Sequence, residues 1–203
     1  AVAAAVLLPL VTIALGFWLN VNFGWVLLGY FLINVAYSFR LKHEPILDVF
    51  LIAAGFVLRV VAGVTLIVVE RFSPWLYVCM TVLALFLGFG KRRAELMQMG
   101  VNGRSRQVLA GYTLPLLDTY LIIVSTSAVL AYSLYTFSAV NLPANHLMML
   151  TIPFVIYGLF RYLYLIHVRG EGSAPEELLL TDRPLQAAVI LWGLTALGIL
   201  YFS

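Results

Sequence analysis

Tyr112-Thr-Leu-Pro-Leu-Leu-Asp118-Thr-Tyr-Leu-Ile-Ile-Val-Ser-Thr-Ser-Ala-Val-Leu-Ala-Tyr-Ser-Leu-Tyr-Thr-Phe137 is a long, predominantly apolar run broken by a single charge. A bilayer core takes about 20 residues of helix at ~1.5 Å each, so this run is long enough to cross it. The patch Leu121 to Val124 favours a strand by propensity, yet it lies inside a run too long and too continuous for barrel strands of about 10 alternating residues. Six further runs of this kind, separated by polar or Gly/Pro punctuation, cover roughly 2–19, 22–39, 48–69, 74–90, 146–168 and 184–202. In lipid every backbone polar group must be satisfied within its own helix. The expected fold is therefore all-α: a polytopic membrane bundle of seven transmembrane helices forming a single domain over 1–203.

Composition agrees. Of 203 residues, 63% are hydrophobic and 10% charged, and mean hydropathy is +1.02. Soluble domains average about a quarter charged residues, so a soluble enzyme is excluded and lipid is the solvent for the excess apolar surface. Cys79 is the one cysteine, which forbids an internal disulfide and a cysteine-based zinc site. His43, His146 and His167 are scattered and supply no metal cluster. They read as interfacial residues, and Cys79 and the methionines as packing.

Basic residues in short loops set orientation, because Lys and Arg are retained on the cytoplasmic side. Arg40 and Lys42 follow the second run, Lys91, Arg92, Arg93, Arg104 and Arg106 the fourth, and Arg169 and Arg183 the sixth, nine of the twelve in all. The alternate loops hold only Arg71. The first residue is thus expected at the cytoplasmic side and the last outside, with Trp18, Trp25, Trp75 and Tyr77 at the outer interface. Residue 1 opens directly into a hydrophobic helix without a methionine, a basic flank or a signal-peptide cleavage pattern, and an upstream portion is expected.

Ionisable residues inside such runs are the informative ones, since lipid excludes them. Arg59, Asp118 and Arg161 are three. At ~1.5 Å per residue Asp118 and Arg161 lie about 10 Å below the cytoplasmic interface and Arg59 about 16 Å, within reach of a polar cavity open on that side. Asp118 paired with one of the two arginines as a structural ion pair would explain two of them and leave the third.

Three loop segments add charge. Tyr37-Ser-Phe-Arg40-Leu-Lys42-His-Glu-Pro-Ile-Leu-Asp48 joins a phenol, two fixed cations and two acids. Phosphate suits it, Lys as a point charge and Arg as a bidentate fork. Asp48 is a candidate N-cap for the next helix, and the positive-inside rule alone accounts for Arg40 and Lys42, but neither accounts for Tyr37. Gly88-Phe-Gly90-Lys91-Arg92-Arg93-Ala-Glu95 places three cations at a helix C-terminal end, where the dipole favours them unaided; against that, Gly88 and Gly90 allow close backbone approach. In Gly170-Glu-Gly-Ser173-Ala-Pro175-Glu176-Glu177-Leu-Leu-Leu-Thr-Asp182-Arg183-Pro184, Ser173 and Glu176 form a capping-box pattern with Pro175 in the first turn. Asp182 suits the start of the last span. This loop is read as mainly structural, otherwise as a lid.

Three stretches together resemble the UbiA superfamily of intramembrane prenyltransferases, and within it the decaprenyl-phosphate phosphoribosyltransferase branch. They are Tyr37 to Lys42 running into Leu47-Asp48 through Arg59 to Gly63, then Gly88 through Glu95-Leu, then Pro175 through Pro184. Members of that superfamily have nine helices, and the resemblance aligns these seven with the last seven. Its first Asp-rich motif, Asn-Asp-x-x-Asp-x-x-x-Asp, holds the Mg²⁺ that bridges the donor's phosphates. No such cluster exists here, so the main Mg²⁺ ligands are expected upstream of residue 1, none in this chain, and the chain alone is expected to be inactive. Aromatic prenyltransferases of the superfamily carry a second Asp-x-x-x-Asp where this chain has Lys91-Arg-Arg-Ala-Glu95, a replacement of acid by base that favours the phosphoribosyl branch.

The resemblance implies transfer of a 5-phosphoribosyl group from phosphoribosyl diphosphate to a polyprenyl phosphate at the cytoplasmic side of the inner membrane, with release of pyrophosphate. Tyr37, Lys42 and Asp48 are the implied catalytic residues, and Arg59, Lys91, Arg92, Arg93, Glu95, Asp118 and Arg161 the implied substrate-binding ones. Membrane lipid is an expected partner and nucleic acid is not. The rivals are an aromatic prenyltransferase of the same fold and, from another class, a transporter or lipid-binding membrane protein whose intramembrane Arg and Asp mark a permeation route.

Overall fold

A computed structural model describes residues 2–67, 73–102, 107–139, 142–143, 145–172 and 174–202. Arg71, Arg104, Arg106 and Ser173 lie outside the described residues. Among those described there is no strand. The chain divides into two compact units, residues 1–70 and 71–203.

In the first unit α1 (Val2–Leu19) packs on α2 (Val21–Phe39), and α2 on α3 (Leu47–Leu66). Asn20 caps α2, its side-chain oxygen accepting from Asn22 N at 2.8 Å and Phe23 N at 3.3 Å, which is what separates two apolar runs into two helices. Past Phe39 the chain makes a 3₁₀ turn, Leu41–His43. It then reverses through a γ-turn: Leu47 N donates to Pro45 O at 2.8 Å around Ile46, whose φ is 71° and ψ −53°. A β-branched residue at positive φ carries strain of roughly 1–3 kcal/mol.

The second unit begins with α4 (Pro74–Asn102), then a 3₁₀ turn at Gln107–Gly111 and α5 (Leu114–Ser138). A second 3₁₀ turn, Leu147–Thr151, leads into α6 (Ile152–Val168), the short α7 (Pro175–Thr181) and α8 (Arg183–Phe202). Phe86, Phe89 and Ala94 of α4, Leu117 and Leu121 of α5, and Tyr162, Leu165 and Ile166 of α6 form its core. Polar groups tie the helices elsewhere: Trp192 Nε1 donates to the Tyr132 hydroxyl at 2.6 Å, which meets Thr151 Oγ1 at 2.6 Å, and Thr151 donates to Met148 O. Hydroxyl and indole bonds of this kind hold helices together where lipid removes the hydrophobic drive.

Six helices are long and apolar enough to cross a membrane among the described residues, and Leu7–Leu19 is a shorter apolar one. Ile122, Leu130, Phe160, Leu194 and Leu197 are exposed on α5, α6 and α8, apolar surface that a soluble domain would not leave uncovered. The protein is a multi-pass helical membrane bundle.

Two expectations are corrected. The fourth span, expected to end at 90, continues to Asn102, because Lys91 through Gln98 are good helix formers almost throughout and Gly88 and Gly90 do not interrupt a helix whose glycine face is packed. Asp48 does not cap α3; Ile46 stands at the cap position without a side-chain bond, and Asp48 is in the first turn, fully buried. There the helix dipole favours a carboxylate.

Candidate functional site

The first unit holds a groove of about 130 Å³ between α2 and α3. Tyr30, Ile33, Asn34 and Tyr37 on one helix and Ile52, Gly55, Phe56 and Arg59 on the other line it, each set spaced i, i+3, i+4, i+7 and hence on one face. Arg59 Nη2 donates to the Tyr30 hydroxyl at 2.7 Å. The guanidinium carbon lies 5.4 Å from the Tyr30 ring centroid and 5.2 Å from that of Phe56, within cation–π range of both. Tyr37 and Arg59, singled out separately from sequence, therefore share one groove, Tyr37 toward the C-terminal end of α2 and Arg59 about two helical turns deeper. Lys42 lies exposed in the 3₁₀ turn just beyond.

In the second unit α4 carries Lys91, Arg92, Arg93 and Glu95 within the helix rather than at its end. Arg92 Nη1 meets Glu95 Oε2 at 2.5 Å, an i, i+3 pair with the arginine buried. Arg93, also buried, reaches two other helices: its Nε donates to Asp118 Oδ1 of α5 at 2.5 Å and its Nη1 to Ile166 O of α6 at 3.0 Å. His167 Nε2 meets the same Asp118 oxygen at 3.1 Å while its Nδ1 faces Leu163 O at 2.9 Å. Arg161 forms a two-pronged pair with Asp182, Nε to Oδ1 at 3.0 Å and Nη2 to Oδ2 at 2.8 Å. Asp182 Oδ1 also accepts from Leu185 N at 2.9 Å, capping α8 as expected. The hydrogen bond from Arg161 is the main reason that the Asp182 carboxyl is held below the usual carboxylate value.

Asp118 thus has an arginine partner, but it is Arg93, not Arg59 or Arg161. Asp118 near the start of α5 and His167 near the end of α6 meet because both sit at the same ends of antiparallel neighbours, 49 residues apart in sequence. Tyr30 and His167 were not picked out from sequence as site residues, nor was Asp182 as the partner of Arg161. A helical spacing signal existed for Tyr30, seven residues before Tyr37 on one face; for the other two only helix pairing could supply it.

Among the described residues no three His, Cys, Asp or Glu side chains gather to hold a metal ion. Glu95, Asp118 and Asp182 are each turned to a guanidinium. These carboxylates do not fit the hard-cation site that Mg²⁺ needs.

No family model matches the chain. It is 33% identical over 215 residues to the decaprenyl-phosphate phosphoribosyltransferase of Mycolicibacterium smegmatis, covering 100% of this chain and 66% of that protein. Against the Mycobacterium tuberculosis protein of the same name it is 29% identical, with 95% and 63% covered. With that of Corynebacterium glutamicum it shares 31%, with 80% and 49% covered. The chain spans less than two thirds of the length of these relatives. Similarity runs through nearly all of the chain, on a helical membrane bundle: the chain is similar to decaprenyl-phosphate phosphoribosyltransferases, enzymes of the UbiA superfamily.

Proposed function

We propose that this protein transfers a 5-phosphoribosyl group from phosphoribosyl diphosphate to a polyprenyl phosphate, at the cytoplasmic side of the inner membrane. An oxygen of the lipid phosphate attacks the anomeric carbon, the bond from that carbon to pyrophosphate breaks, and pyrophosphate leaves with its electron pair. The observation that carries this reading is the 29–33% identity to three proteins named for that reaction.

Placement of the cations supports it. Lys42, Arg59 and Lys91 have no carboxylate within ion-pair distance among the described residues, so their charge is available for phosphate oxygens. Arg93 and Arg161 are held by Asp118 and Asp182 and contribute by tying the interior of α4 to the start of α5 and the end of α6, and α6 to the start of α8. Tyr37 lines the groove beside the Lys42 turn. Asp48 is buried in the first turn of α3, where the helix dipole favours its carboxylate, and Glu95 orients Arg92. Mg²⁺ remains part of the proposal, with ligands other than the described carboxylates.

The test is transfer of label from phosphoribosyl diphosphate to polyprenyl phosphate in membranes containing the full-length protein, with and without Mg²⁺. A Mg²⁺-dependent labelled lipid is expected. Lys42→Ala is expected to weaken donor use about tenfold or more with membrane insertion unchanged. Absence of a labelled lipid defeats the proposal; unaltered kinetics in the variant return Lys42 to a purely topological role.

A further inference from the structure

We propose that Tyr30 is a positioning residue, holding the Arg59 guanidinium at the inner end of the α2–α3 groove to receive the phosphate monoester of the lipid acceptor. The inference rests on the polyprenyl-phosphate reading above and adds to it which phosphate Arg59 meets and what aims the arginine.

An arginine in a membrane-spanning helix is expensive unless something answers its charge. Arg93 and Arg161 have carboxylates for this purpose. Arg59 has a phenol oxygen and two ring faces, but no carboxylate among the described residues. Rings and a hydroxyl orient a guanidinium without neutralising it. One N–H goes to Tyr30, the flanking rings of Tyr30 and Phe56 limit rotation of the plane, and of five N–H donors several remain in the fixed fork that matches two phosphate oxygens.

The walls of the groove select the kind of phosphate. Ile33, Leu51, Ile52 and Phe56 are hydrocarbon, and Asn34 spends an amide N–H on Tyr30 O at 2.7 Å. A sugar phosphate could still meet the Tyr37 hydroxyl and Asn34 in this lining, but it gains nothing from the hydrocarbon walls. A phosphate on an apolar chain satisfies both surfaces at once.

Tyr30→Phe deletes the hydroxyl and keeps both rings. With the full-length protein in lipid nanodiscs, Y30F is expected to raise KM for a short-chain polyprenyl phosphate about fivefold, with KM for phosphoribosyl diphosphate within about twofold, and Arg59→Gln to raise the acceptor KM further. A binding arm needs no turnover. Wild type is expected to bind polyprenyl phosphate more tightly than the unphosphorylated polyprenol, and Y30F to narrow that ratio about fivefold. Unchanged acceptor KM and binding ratio in Y30F overturn the inference, as does a raised KM for the donor or weakened competition by inorganic phosphate alone, which would assign Arg59 to a free or sugar phosphate. If wild type transfers no label, the reaction proposed above fails; a binding ratio that still narrows in Y30F then upholds the seat for a lipid phosphate, and one that does not removes it too.

Discussion

The Asp182 carboxylate does two jobs with two oxygens. One accepts the Leu185 N–H at the start of α8 and a prong of Arg161, and the other takes the second prong. Asparagine keeps the capping oxygen and loses the charge, whereas alanine loses both. Asp182→Ala is therefore expected to unfold more readily than Asp182→Asn by about 1 kcal/mol, the worth of a cap, and both more readily than wild type, because Arg161 is left without its counter-charge. Acid should erase part of that difference. The carboxyl is held below its usual value of 3.8, so the unfolded chain takes up the proton first. The stabilisation is present above about pH 4 and is lost as pH falls through the folded value. Thermal melts in detergent from pH 7 down to 3 should show wild type converging on D182N at the acid end; a gap that stays constant would mean the pair contributes nothing. The cap was legible from Asp182 two residues before Pro184. The pairing was not, since a partner 21 residues away is fixed by how α6 lies against the start of α8.

Gly90 shows what α4 depends on. Tyr162 of α6 lies against its bare Cα, and a Cβ there would come 2.9 Å from both the ring and the hydroxyl. The ring cannot swing aside freely, for it is buried and packed on Phe86 with centroids 5.2 Å apart. Gly90→Ala is expected to destabilise by roughly 1–3 kcal/mol through overpacking, despite alanine's better helix propensity. The Tyr162 hydroxyl is buried with no hydrogen-bond partner among the described residues. Tyr162→Phe should then be close to neutral, since removing an unpaired buried hydroxyl forfeits no bond. It should also relieve part of the Gly90→Ala defect, giving a non-additive cycle in chemical denaturation; strict additivity would place the clash elsewhere. Read from sequence, Gly88 and Gly90 punctuate the fourth run and Lys91 to Arg93 close it. What the pattern could not convey is that a glycine inside a membrane helix marks the face where a neighbour comes close, with the helix running on beneath the cations.

Across the chain, the spans were legible because length and apolarity decide them: Leu47 to Leu66 and Leu114 to Ser138 cross a bilayer by arithmetic alone. Which cations are free for phosphate was not, because Lys91 and Arg93, two residues apart, differ only in what α5 and α6 bring to them. Orientation stands between the two, inferred from the basic loops and open to direct measurement. Cys79 is the single cysteine and half-buried, so Cys79→Ala gives a background for cysteines placed at His43, Asn145 and Glu171, all exposed. The first and last flank Lys42 and Arg169, while Asn145 lies in the connection between α5 and α6, which holds no Lys or Arg. If Lys and Arg are retained on the cytoplasmic side, a membrane-impermeant thiol reagent should label the His43 and Glu171 positions in inside-out vesicles only, and the Asn145 position in intact cells only. Labelling of the His43 position from outside would put Lys42 and Tyr37 on the face away from a cytoplasmic sugar diphosphate, and the proposed reaction would lose its donor.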